Sequence, residues 1–409
     1  MKKTFGIFPK VTLLMLFTGL AFTQTSCEKE DAEFNPDGPP TITGLRAYLA
    51  APNDSVITRV RPGTAIVIQG TKLRSTKAVL FDGVPGTFNS ALFSDESIVV
   101  TIPADLPFAK VKPEFFNKIQ VVTAGGELTY DFPVLAPAPA LTSASYEYPS
   151  PGQDITVTGN FLYLIKKVTV GSNNVEVTDY TGNDAGTELR IKVPQGAQPG
   201  PITVQTQFGT TASVFRLNDA AGTLLNFDGV GGTATGSTIS NDAVAYPGAR
   251  GNYARLTGDN ISGNNWGYSD GKRSIFTGAF DWLPASAMSE PAANYALKFE
   301  IFTKEPLSTG VIFIGPPPGG TWNYMYRYEP WKTTPNFKTT GWTTVVAPFN
   351  QFRLKANGAD GTGAGAATVN DLLGGIDEVI KFMYVNDTNT PLAKLDIAID
   401  NIRVVKIIN

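Results

Sequence analysis

An all-β fold built from three consecutive sandwiches follows from three observations on the 409-residue sequence. Short runs of alternating apolar residues recur between Gly-, Pro- and Asn-rich turns, the pattern of half-buried strands. Gly 41 and Pro 29 supply the turn residues that many short strands need. A set of four strand-like segments occurs twice in the same order, and a chain this long exceeds one ordinary core, so several domains are expected.

Residues 1–26 read as a signal peptide. Lys2, Lys3 and Lys10 form a basic region, and Val11 to Thr23 is an apolar stretch too short to span a bilayer comfortably. Cys27, the single cysteine, stands where lipoprotein processing needs it and cannot form an intramolecular disulfide. A diacylated cysteine there supplies the two-chain anchor that stable membrane attachment requires. Residues 27–40, ending NPDGPP, read as a tether. Its run Lys29-Glu30-Asp31 resembles the surface-export signal of Bacteroidota lipoproteins, which implies the outer face of the outer membrane. Removing the signal takes three of 33 basic residues, leaving 30 against 36 acids, a balance that does not attract nucleic acid. The chain has no histidine, which excludes Ser-His-Asp and Cys-His catalysis and His-ligated zinc.

The repeat begins with PGTAIVIQG (62–70) and PGQDITVTG (151–159). It continues through VLFDG (79–83) and VTVG (168–171), IVVTIP (98–103) and LRIKVP (189–194), then IQVVTAGG (119–126) and ITVQTQFG (202–209). Four matched strands per unit predict small antiparallel sandwiches over 41–137 and 138–219. Their Pro-Gly openings, Gly-terminated strands and apolar strands closing on Pro resemble IPT/TIG immunoglobulin-like domains. The proline-rich joint from Pro133 to Ser143 should act as a stiff spacer.

Residues 222–409 form a third region whose strand-like runs number about what a jelly-roll sandwich needs. In YALKFEIF, Tyr295, Leu297, Phe299 and Ile301 alternate with Ala296, Lys298, Glu300 and Phe302, so one face is expected in the core and the other at least partly wet. The last strand changes phase between Ile399 and Ile402, which predicts a bulge at Asp400-Asn401.

All five tryptophans and eight of the fourteen tyrosines fall in this third region. Trp266 lies in GNNWGYSDG, Trp322 follows GPPPGG and Trp331 precedes KTTPNFKTT, contexts that mark loops. Rings on loops tend to be exposed, and exposed aromatic clusters mark binding surfaces. The apolar, slightly positive C–H face of a pyranose complements the face of an aromatic ring, while its hydroxyls need polar groups at the ring's edge. Trp266, Trp282, Trp322, Tyr324, Arg327 and Trp331 are therefore the expected glycan-binding residues. In the row Trp322, Tyr324, Tyr326, Tyr328, the last two are expected in the core and the first two toward the surface. Trp342, which opens a regular strand, is expected to pack.

Asp228 and Asp400 leave room for a structural calcium, although two carboxylates fall short of the six or more oxygens calcium takes. Otherwise no cofactor is expected. A glycosidase needs two carboxylates across a cleft, and the third region offers only the adjacent pair Asp377-Glu378 in a turn-like context.

The signal, acidic export run, two repeated sandwiches and Trp-rich C-terminal domain together resemble the surface glycan-binding lipoproteins of Bacteroidota polysaccharide-utilisation systems, those ending in a xyloglucan-binding-type domain. The resemblance implies non-catalytic capture of a β-linked plant-type glycan such as xyloglucan, mannan or another β-glucan. It also implies hand-over to an outer-membrane transporter and a surface glycanase. The competing reading of the same rings is the interface of a surface adhesin; a polysaccharide-degrading enzyme is the third.

Overall fold

A computed structural model describes residues 38–267, 272–279, 281–315, 323–374 and 379–408. Cys27, the signal and most of the tether lie outside these residues.

In the first sandwich, Thr41–Ala47, Ala65–Thr71, Ser97–Thr101 and Thr87–Phe88 form one sheet in that order. Val84–Pro85, Thr76–Phe81, Lys118–Thr123 and Gly126–Asp131 form the other. The second sandwich repeats both orders: Ala140–Ala144, Asp154–Asn160, Glu188–Lys192, Tyr180–Gly182, and Val175–Glu176, Ile165–Val170, Gly200–Thr206, Gly209–Leu217. Each matched sequence segment thus occupies the same place in its sheet. The glycines that close the first matched segments share a cause. A Cβ on Gly70 would lie 1.8 Å from the Thr41 carbonyl oxygen and one on Gly159 2.1 Å from that of Ala140, so only glycine lets the first strand cross there.

The C-terminal domain is two facing sheets. One runs Thr238–Ser240, Tyr253–Ile261, Leu392–Lys406, Tyr295–Thr303, Thr343–Pro348, with Thr223–Leu225 also on the Leu392 strand. The other runs Ser274–Ala279, Val379–Val385, Val311–Gly315, Tyr324–Tyr328, Arg353–Leu354. Leu297, Phe299, Ile301 and Ile399 from the first meet Ile312, Ile314, Phe382 and Tyr384 from the second in the main core. The expected bulge is present: Lys298 pairs with Arg403 but Glu300 pairs with Asp400, so the final strand carries one extra residue, and Asn401 takes φ 49°.

The expectation of a wet face on YALKFEIF is overturned. Lys298 is 5% exposed and Glu300 0%, because the second sandwich lies on that face. Glu147 of the second domain accepts from Lys298 Nζ at 2.6 Å and from Arg403 Nη2 at 2.6 Å. Arg403 in turn lies 2.9 Å from Glu300 Oε1, and the Thr344 hydroxyl donates to Glu300 Oε2 at 2.6 Å. Tyr246, Tyr253, Trp342 and Ala398 join the apolar core of the second domain, making one continuous cluster across the joint. Trp342 packs against Tyr253 at 5.5 Å and Phe302 at 5.9 Å within its own domain and belongs to the cluster that crosses the joint.

The joint between the first two domains is looser. Phe108 meets Tyr163 at 5.9 Å and Phe208 at 5.3 Å, and the exposed pair Lys110–Asp184 closes to 2.9 Å. Clefts of about 810 and 490 Å³ border that joint, both touching Arg61 and Pro137.

Candidate functional site

With one sheet of the C-terminal sandwich sealed under the second domain, the other sheet keeps an outer face. Cross-strand register places Met383, Phe313 and Arg327 side by side on it, with Lys381, Gly315 and Phe276 in the next row. Val311, Phe313, Met325, Met383 and Val385 form a small apolar cluster there, separate from the main core, with Phe276 packed against it.

Trp266 stands over this cluster. Its ring stacks on Phe313 at 6.2 Å with planes 21° apart, and half of the residue stays exposed (50%). The turn that carries it is fixed from several sides. Asn265 and Asn386 exchange backbone hydrogen bonds of 2.8 and 2.9 Å, and the Asn264 N–H donates to the Thr388 carbonyl at 2.7 Å. The Asn264 amide also donates to Asn389 Oδ1 at 2.8 Å. The Asn265 side-chain oxygen accepts the Gly267 N–H at 2.9 Å, closing a turn with Trp266 at its apex. Asn386 is wholly buried, its amide donating to the Ser262 and Thr390 carbonyls at 3.0 and 2.8 Å.

Arg327 borders the stack, its guanidinium carbon 4.9 Å from the Phe313 ring centre. It donates twice to Glu329 at 3.0 Å, to Asp387 Oδ2 at 2.5 Å and to the Asp360 carbonyl at 3.1 Å. Burial would raise the Glu329 carboxyl, but hydrogen bonds from Arg327 and Lys332 hold it below the usual range. Such a group stays an ionised partner and is unsuited to donate a proton. The site thus has a flat ring, an apolar floor and a fixed charged border.

Of the residues expected from sequence, Trp266 and Arg327 come together on this face. Trp282 does not: it is 4% exposed, part of the main core and 6.2 Å from Phe349, so it has no ring face to offer a ligand. Tyr324 packs against the main core with Tyr326 and Tyr328, because all three share the inward parity of their strand. Tyr324 remains partly exposed, while Met325 and Arg327, on the opposite parity, face the site. Trp331 is half-buried. Its indole N–H donates to the Gly310 carbonyl at 2.6 Å and its ring rests on the main core. Trp322 and the Asp377-Glu378 pair lie outside the described residues.

The floor residues Phe313, Phe276, Met325 and Met383 were missed from sequence. Their signal was present: VIFIG and IKFMYV are continuous apolar runs, which means strands covered on both faces. Asp228 Oδ1 accepts from the backbone and side chain of Asn252, Asp400 accepts from Asn401, and burial pushes the Asp400 carboxyl up to about 8. Among the described residues no group of three potential carboxylate or thiolate metal ligands occurs.

Residues 217–406 match the family described as the surface glycan-binding protein B xyloglucan binding domain. An IPT/TIG domain-containing protein of Bacteroides ovatus is 29% identical over 206 residues, which is 47% of this chain and 41% of that relative's length. A surface glycan-binding protein from Prevotella bryantii superimposes with a TM-score of 0.69 at 21% identity, over 91% of this chain and 100% of the other. The SGBP-B from a complex xyloglucan utilization locus in Bacteroides uniformis gives 0.52 at 20% identity, over 90% and 99%. At these identities the two structures speak for the fold.

Proposed function

With a C-terminal domain that belongs to the surface glycan-binding protein B xyloglucan-binding family, we propose that this chain captures a polysaccharide without transforming it. The glycan is β-linked and plant-type, xyloglucan first, and it lies on the outer face of the five-stranded sheet. One observation carries the reading: a half-exposed Trp266 on a turn held by backbone bonds at Asn264 and Asn265 and by side-chain bonds at Gly267. A ring already fixed in place loses little conformational freedom when a sugar stacks on it, so more of the stacking energy appears as affinity.

One stacked ring contributes about 1 to 3 kcal/mol, judged by base stacking on aromatic side chains, which makes each site weak and its ligand releasable. Many copies gripping one long chain then hold it by avidity. Lipidation of Cys27 would anchor the protein to the membrane, the run Lys29-Glu30-Asp31 supports the outer membrane's external face, and the two repeated sandwiches would serve as its stalk. The natural recipients of a captured chain are a transporter and a surface glycanase in the same membrane. A non-catalytic role is supported by the lack of histidine and by carboxylates at the ring's border that are committed to Arg327.

Affinity electrophoresis through gels containing xyloglucan, mixed-linkage β-glucan or mannan tests this. Retardation by one polysaccharide class, with no reducing ends released on incubation, is expected. Lack of retardation across the panel would favour the adhesin reading, and release of reducing ends the enzyme.

A further inference from the structure

Arg273 is buried to 5% exposure directly beneath the turn that carries Trp266, and a buried cation in a loop whose backbone is already tied down calls for a reason. Both terminal guanidinium nitrogens donate to Asn265 Oδ1, at 3.3 and 3.2 Å, and one also donates to the Gly267 carbonyl. The residues on either side of Trp266 are thereby joined through one rigid, planar group. Its own backbone is fixed in the sheet, where the Arg273 carbonyl accepts the Tyr384 N–H at 2.9 Å. The turn is also closed down on the guanidinium: a Cβ on Gly267 would lie 2.8 Å from Arg273 Nη2 and 3.1 Å from Asn265 Oδ1.

From this geometry we infer that Arg273 is a positioning residue for glycan binding, setting the height and tilt of the Trp266 ring over Phe313 without touching the sugar. The inference rests on Trp266 being the stacking platform. Arginine suits the task where lysine does not. Its fork spans two acceptors in fixed directions, whereas an ammonium on a flexible stem keeps the charge and loses the span.

The experiment is a double-mutant cycle read by affinity for xyloglucan in gels, on the full chain, with thermal midpoints measured for every variant. Trp266→Ala is expected to weaken retardation about tenfold or more, and Arg273→Lys alone about three- to tenfold. Arg273→Lys in the Trp266→Ala background is expected to cost nothing further, within about twofold, because its effect runs through the ring. Gly267→Ala, which pushes the turn off the guanidinium without altering any charge, gives the same loss and the same non-additivity, and serves if Arg273→Lys does not fold. An Arg273→Lys loss that persists undiminished without Trp266, or wild-type binding by Arg273→Lys and Gly267→Ala, overturns the positioning role while leaving Trp266 as platform. Undiminished binding by Trp266→Ala itself overturns the platform and the positioning role together.

Discussion

The outer face of the six-stranded sheet carries Lys298, Glu300 and Arg403 and is sealed under the second domain, whereas the outer face of the five-stranded sheet carries Phe313, Met325 and Met383 and holds up a half-exposed Trp266. Judged by residue type alone, the charged face should be the wet one and the apolar face the hidden one. The apolar residues are indeed covered, Phe313 2% and Met325 1% exposed, and Trp266 above them reaches water; the charged face is hidden as well because the charges come with a partner: Glu147 reaches in from another domain and takes up both cations. A strand's charge says that it needs a polar environment, and protein can supply that as well as water, provided every group is paired. The apolar face meanwhile becomes a floor on which a ring can stand.

That contrast is most vulnerable at Glu147. Glu147→Ala leaves Lys298 and Arg403 with one fewer buried counter-charge and should cost about 3 to 5 kcal/mol of stability, read as a lower denaturation midpoint. A change below about 0.5 kcal/mol would mean the joint is not held by charge.

The same joint carries a pH dependence. Burial pushes the Glu300 carboxyl up to about 7 and that of Asp400 up to about 8. The folded state therefore keeps protons that the unfolded chain releases above the ordinary carboxylate range. Stability is greatest below that range and falls as pH rises through 5 and 6, until the folded groups themselves ionise near 7 to 8. The expected total is on the order of a few kcal/mol, measured by thermal denaturation between pH 5 and 8, and Glu300→Gln should flatten part of the slope. Stability rising over that interval would contradict the buried, protonated carboxyls.

On the other face the effect is on binding. Trp266→Ala should remove about 1 to 3 kcal/mol of glycan affinity with little change in midpoint, since the ring is half in water. The smallest effect belongs to the joint between the first two domains. Lys110→Ala, breaking an exposed ion pair with Asp184, should change stability by less than about 1 kcal/mol, because solvent and salt already screen it.

Much of the architecture was legible in the sequence because strand periodicity and glycine placement are local signals. The repeated segments correspond to repeated sheet positions, and the phase change at Asp400-Asn401 is a bulge. Gly and Asn around Trp266 place its ring on a loop, where it is half exposed, whereas Trp282, which has no such run beside it, is 4% exposed in the core: local sequence does not say which way a ring at a strand end turns. The burial of Lys298 and Glu300 could not be read from YALKFEIF, because their partner Glu147 lies about 150 residues earlier in the chain. The site's floor was hidden in continuous apolar runs, where parity no longer separates one face from the other.

The most direct test sets two tryptophans against each other. Isothermal titration of xyloglucan oligosaccharide into Trp266→Ala and Trp282→Ala, alongside their denaturation midpoints, should give opposite signatures. Trp266→Ala loses binding and keeps its midpoint, and Trp282→Ala keeps binding while folded but loses about 3 to 5 kcal/mol of stability through the core cavity. Unchanged titration with Trp266→Ala, or binding lost only when Trp282 is removed, would contradict the outer face of the five-stranded sheet as the place where glycan is held.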